Sequence, residues 1–127
     1  MEYIAYEGSK FTIEWYYDDS SRCEVLEYFE SISELPQDKL FYLLKRMGDF
    51  GKISDKTKFR NEGNSIYVFK PQPYRFLCFF TTGKKIIITN GFYKKTTKLP
   101  KEQKDKAIKY MENYFKRIKD GSYYEAK

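Results

Sequence analysis

Residues 74–92 read YRFLCFFTTGKKIIITNGF, and this stretch decides the fold. Two runs dense in aromatic and β-branched side chains, 74–81 and 85–92, are divided by Thr82-Gly83, a tight-turn pair. They predict two strands paired as antiparallel neighbours. Phe76, Leu77, Cys78, Phe79 and Phe80 are apolar at both parities, so the first of the two is a central strand covered on both faces. Residues 64–70 form a third run of the same kind, set off by Pro71-Gln72-Pro73.

Working outward, residues 11–18 alternate Phe11, Ile13, Trp15 and Tyr17 with Thr12, Glu14 and Tyr16, the period of a strand with one buried face. Ser21 and Glu24 have the spacing of a capping box, and Val25, Leu26, Phe29 and Ile32 make the apolar stripe of a first helix. Ser33, Glu34 and Pro36 open a second, with Leu40, Leu43, Leu44 and Met47 on one side and Gly48 and Gly51 to stop it. Two short helices so joined are expected to pack as an antiparallel hairpin. After Pro100, residues Ala107, Ile108, Met111, Tyr114, Phe115 and Ile118 mark an amphipathic third helix that Gly121 ends. The order β-α-α-β-β-β-α predicts an α+β fold: a mostly antiparallel four-stranded sheet with a helical hairpin and a C-terminal helix. All helices are expected on one side, leaving the other face or its rim free. With no repeat, linker or low-complexity stretch, residues 1–127 are one domain, its core about 11–119.

Composition bounds the function. The 41% of apolar and 20% of aromatic residues supply buriable surface that a disordered chain lacks. No apolar run approaches the ~20 residues of a membrane span, and MEYIAYEGSK has no basic segment followed by an apolar one. A cytoplasmic location is therefore expected, with Cys23 and Cys78 as reduced core thiols. Residues 1–36 hold nine acids against Lys10 and Arg22, yet the whole chain carries +6, so the remainder is strongly basic. Such segregation steers a polyanion toward one face, although a lysine-rich surface also serves solubility.

With no histidine, serine–histidine and cysteine–histidine triads are excluded, and two distant cysteines cannot build a zinc tetrad. No phosphate-cradling glycine loop occurs, and Asp18-Asp19 sits at a helix entrance, where capping and the helix dipole account for it. No metal or cofactor is expected. Basic and aromatic residues cluster at Lys56-Thr57-Lys58-Phe59-Arg60, at Lys70 with Tyr74-Arg75, and at Phe92-Tyr93-Lys94-Lys95-Thr96-Thr97-Lys98. On neighbouring strands they can converge on one rim. There cations grip phosphates and tyrosines such as Tyr74 stack on bases. RNA brings its own nucleophile, the 2′-hydroxyl, so cleavage needs only a base, cations and an acid. Lys94 and Lys95, beside Lys98 and facing Arg75, offer a lysine whose pKa neighbouring charge lowers. Lysines leaving an edge strand also deter aggregation, which is the alternative reading of the same residues.

The stretch ITNGFYKKTTKLPKEQKDKAIKYMENY, residues 88–114, resembles the C-terminal signature of HigB-type host-inhibition toxins, phage-derived members of the RelE/ParE superfamily. Tyr74-Arg75-Phe76-Leu77-Cys78 is similar to the superfamily's Tyr-Arg-apolar strand, Lys58 sits where a lysine is common, and the element order agrees over about residues 11–119. The resemblance implies a metal-independent endoribonuclease, an mRNA interferase acting on the message at the ribosome and inhibiting translation, and a cognate helix-turn-helix antitoxin. It implies that Arg75 stabilises the phosphate, that Lys94 and Lys95 are basic catalytic groups, and that Tyr93 stacks on a base or donates a proton. Lys58, Arg60 and Lys70 would hold backbone phosphates. Relatives often carry Glu-x-Arg where this chain has Val68-Phe69-Lys70, and histidine or arginine near the exit of the last strand, where this chain has Asn90 and lysines. The same superfamily also includes toxins that poison gyrase by binding protein, and a simple nucleic-acid-binding module is the third reading.

Overall fold

In the computed structural model, which describes residues 3–124, the chain runs β1 (Ile4–Glu7), β2 (Thr12–Trp15), α1 (Glu24–Ser31), α2 (Glu34–Phe50), β3 (Phe59–Gly63), β4 (Ile66–Phe69), β5 (Tyr74–Thr81), β6 (Lys85–Tyr93) and α3 (Lys101–Lys119). The strands form one sheet in the order β1-β2-β6-β5-β4-β3, with β2 parallel to β6 and the other neighbours antiparallel. The fold is mixed α+β. The central hairpin is β5–β6, and its turn carries Gly83 and Lys84 at φ 80° and 58°.

The sheet has six strands rather than four, because both edges lie outside the periodic stretches. β1 is four residues long, and of β3 (FRNEG) only Phe59 is buried, so neither shows the alternation of a half-buried strand. β4 begins at Ile66, not residue 64: Asn64 and Ser65 are both at positive φ, 56° and 68°, and turn the β3–β4 hairpin.

The helices do not share one side. Phe76 and Cys78 of β5 pack in the cluster of α1 and α2, which includes Val25, Phe29, Leu40 and Leu44. Leu77 and Phe79 pack with Ala107 and Tyr114 of α3. A sheet apolar on both faces needs a layer on each, so α3 covers the face opposite α1 and α2. β2 follows the same logic. Ile13 and Trp15 join the first cluster, while Glu14 is buried on the other face, 3.5 Å from Lys85 Nζ and accepting the Tyr124 hydroxyl proton at 2.7 Å.

Local expectations also change around the first two helices. Ser21 does not cap α1: it lies at φ 64° in a turn held by Asp18, whose Oδ1 accepts the Ser20 and Arg22 N–H groups at 2.9 Å, and the residue flanking the helix is Cys23. The helices do not close as an independent hairpin. They touch where the rings of Phe29 and Phe41 meet at 5.2 Å, but α1 rests chiefly on β6 and α2 on β1 and β2. Gly51, at φ 78°, ends α2, but Gly48 is a buried helical residue. Its carbonyl accepts the N–H groups of Lys10 and Phe11 at 2.7 and 2.9 Å, which docks the β1–β2 turn on α2. A Cβ at Gly8 would lie 2.2 Å from the Gly48 carbonyl carbon. Gly8→Ala is therefore expected to cost about 1–3 kcal/mol, read as a lower urea midpoint with unchanged slope; an unchanged midpoint would show that this contact carries no load.

Among the described residues no helix is long and apolar enough to cross a membrane. Cys23 and Cys78 are buried free thiols, and burial pushes Cys23 up to about 11. Burial also pushes the Tyr16 and Tyr17 hydroxyls up to about 12, keeping them as donors in the core.

Candidate functional site

A cleft of about 380 Å³ opens where β5 begins and β6 ends, walled by β3, β4 and the start of α3. Its lining holds six cations (Arg60, Lys70, Arg75, Lys94, Lys98 and Lys104) against one carboxylate, Glu62. Strand pairing assembles them. Arg60 lies opposite Val68, and one step beyond the Phe69–Phe76 pair Lys70 comes level with Arg75, which in turn faces Phe92. The Lys94 N–H donates to the Pro73 carbonyl at 2.9 Å, fixing the exit of β6 beside the start of β5.

Arg75 is only 8% exposed, yet it lines the cleft. Its Nη1 donates to the Tyr74 carbonyl at 2.9 Å and to Gln72 Oε1 at 3.3 Å. Among the described residues no buried side-chain nitrogen or oxygen lacks a partner, so the rest of the guanidinium reaches solvent, and the opening beside it is this cleft. Desolvation weighs against its charge, and Glu62 supports it. Lys70 Nζ donates to the Lys56 carbonyl at 3.0 Å. Desolvation, then the charges of Arg75, Arg60 and Lys94, push the Lys70 ammonium below the ordinary lysine value, with Glu62 opposing them. Glu62 Oε2 lies 3.9 Å from Arg60 Nε, and its own backbone carbonyl accepts Lys104 Nζ at 2.8 Å.

A bulge in β6 decides which residues reach the cleft. Leu77 pairs with Asn90 and Cys78 with Ile88, so Thr89 is the extra residue. Past it, the alternation of β6 is reversed. Phe92 therefore shares the α3 face with Arg75, and Tyr93 is turned to the opposite face, where its ring meets Tyr74 edge-on at 5.4 Å. The bulge is held by polar contacts: Thr89 Oγ1 donates to Leu77 O at 3.2 Å, and Asn90 Nδ2 donates to Gln103 O and Oε1 at 3.2 and 3.0 Å. These bonds also pin the first turns of α3, the cleft's far lip.

The structure thus gathers Arg60, Lys70, Arg75, Lys94 and Lys98 of the residues expected from sequence. Tyr74 and Tyr93 lie across the sheet, Lys95 is exposed outside the cleft, and Lys58 lines a second cleft. Two charged lining residues escaped sequence reasoning, Glu62 and Lys104. No sequence signal marks Glu62: β3 lacks a burial period, and Glu62 is the extra residue of a bulge between Asn61 and Gly63. Among the described residues no three histidine, cysteine, aspartate or glutamate side chains gather to hold a metal ion.

Fold and site together define a class: a small basic α+β domain with a polycationic cleft at the rim of a mixed sheet. The model of the family described as Phage derived protein Gp49-like (DUF891) matches residues 27–112, from α1 into α3 and across every cleft residue. The chain belongs to this phage-derived family of toxin-like proteins related to the RelE superfamily. Comparison with curated proteins gave no match.

Proposed function

We propose that this protein is a HigB-type toxin that cuts messenger RNA in the cleft around Arg75, without a metal, and so stops translation. The observation carrying this reading is the set of six cations gathered about one carboxylate in one cleft. Cations there offset the charge that accumulates on a phosphate when a fifth oxygen bonds to it. Arg75, its guanidinium anchored through Nη1, and Lys94 hold the non-bridging oxygens. The 2′-oxygen attacks phosphorus while Glu62, the carboxylate lining the cleft among the described residues, takes its proton. The P–O5′ bond breaks as Lys70, whose lowered pKa makes it a readier acid, protonates the leaving oxygen. The products are a 2′,3′-cyclic phosphate and a 5′-hydroxyl. In this assignment Glu62 replaces Lys94 or Lys95 as base, and Tyr93 takes no proton-transfer role because it lies across the sheet.

The setting belongs to the same proposal: a message on the ribosome, in the cytoplasm, with a helix-turn-helix antitoxin to neutralise the toxin. Purified protein incubated with a short RNA in EDTA is expected to leave those two end groups, and one 2′-deoxy substitution at the cut position is expected to block cleavage there. Cleavage that EDTA abolishes, or that ignores the missing 2′-hydroxyl, sinks the mechanism. Intact RNA with blocked DNA supercoiling would favour the gyrase-poison alternative.

A further inference from the structure

A second cleft, about 300 Å³, adjoins the first and shares Lys70 with it. Its floor is Leu43 and Pro71, both buried, and its rim carries Tyr42, Lys39 and Lys58 with Asp38 and Gln72. Tyr42 projects from α2 with 62% of its surface exposed, and among the described residues its ring meets no other aromatic side chain. Lys39 Nζ bridges to the Gln72 carbonyl at 3.4 Å, joining α2 to the loop that leads into Arg75. An exposed ring on an apolar floor, ringed by three lysines and continuous with a polycationic cleft, has the parts of a single-strand nucleic-acid subsite: a stacking platform and a cationic track.

We propose that this second cleft holds the nucleobase next to the scissile phosphate, stacked on Tyr42, with Lys39 and Lys58 on the adjoining phosphate. The proposal rests on the RNA-cleaving reading of the first cleft. Lys70 lines both clefts, so a strand leaving the first past Lys70 reaches the second by rounding the end of the sheet onto the α2 side. Asp38 then sits at the base edge, where a carboxylate accepts from an exocyclic amino group, as carboxylates do from cytosine N4. Adenine, cytosine and guanine carry such a group; uracil has only acceptor oxygens and its ring N–H. The subsite therefore favours amino-bearing bases over uracil.

The test uses four RNA oligonucleotides differing only at the flanking base, each also in a fluorescein-labelled form with a 2′-deoxy cut site. Single-turnover cleavage and anisotropy binding are compared for wild type, Tyr42→Ala and Asp38→Asn, all at exposed positions. Tyr42→Ala is expected to weaken binding of all four by about tenfold to a hundredfold, with cleavage at subsaturating RNA falling in step. Asp38→Asn is expected to shrink the preference against uracil. Binding and base preference unchanged in both variants would overturn the subsite, including the case in which a protein occupies this cleft. Uncut RNA that still binds in a Tyr42-dependent way would keep the subsite and overturn the cleavage reading alone.

Discussion

Arg75→Ala is expected to lower RNA cleavage by about 10²–10³-fold, the usual loss when one preorganised donor to a developing oxyanion is removed. The size follows from burial. Arg75 is held at 8% exposure with Nη1 tied to Tyr74 and Gln72, so its charge acts at a fixed place with little water to screen it. Arg75→Lys is expected to recover little, because a lysine cannot keep both anchors and still present a planar fork to the phosphate. The variant should also move the pH profile. Arg75 is among the charges that lower the Lys70 pKa, so its removal lets that pKa rise. Lys70 acts as the acid and is lost as pH climbs through its pKa, so the alkaline limb of log kcat/KM shifts to higher pH in Arg75→Ala. An unmoved limb would take the acid's role away from Lys70. Cleavage within threefold of wild type would remove Arg75 from the mechanism.

Tyr123→Ala is expected to give a large loss of stability, about 3–5 kcal/mol on the scale of buried aromatic truncations. That is a sizeable share of the 5–15 kcal/mol typical of a domain. Tyr123 lies just beyond α3, yet it is 2% exposed. Its ring stacks on Tyr17 at 4.2 Å and meets Tyr114 edge-on at 4.6 Å. Its hydroxyl accepts the Tyr17 N–H at 3.1 Å, and its carbonyl accepts the Tyr17 hydroxyl proton. The buried Arg117 guanidinium sits 4.4 Å over the same ring while donating to the Tyr17 carbonyl at 2.7 Å. Truncation would leave a cavity beside a buried charge, two costs that compound. Tyr123→Phe keeps the ring and removes one hydrogen bond, so it should cost about 1 kcal/mol. Urea unfolding of the three proteins separates these terms; a Tyr123→Ala loss below 1 kcal/mol would show that the segment after α3 is no part of the core.

Local pattern, readable residue by residue, determined much of this protein. The apolar run 76–80 and the turn at Gly83 specify a central hairpin, since side-chain alternation and left-handed turn positions are properties of a few consecutive residues. The stripes of α2 and α3 are equally local, and the bases beyond residue 36 carry the cationic character of the cleft. Only tertiary structure decided which of those bases meet. Thr89 bulges because β5 pairs around it, and that single extra residue sends Tyr93 away from the cleft. Glu62 enters because β3, a mostly polar edge strand with no periodicity of its own, is held by its ladder to β4. Likewise α3 covers the second face because the sheet it joins is apolar on both sides. Register and face are set by partners distant in the chain, so no window of sequence contains them.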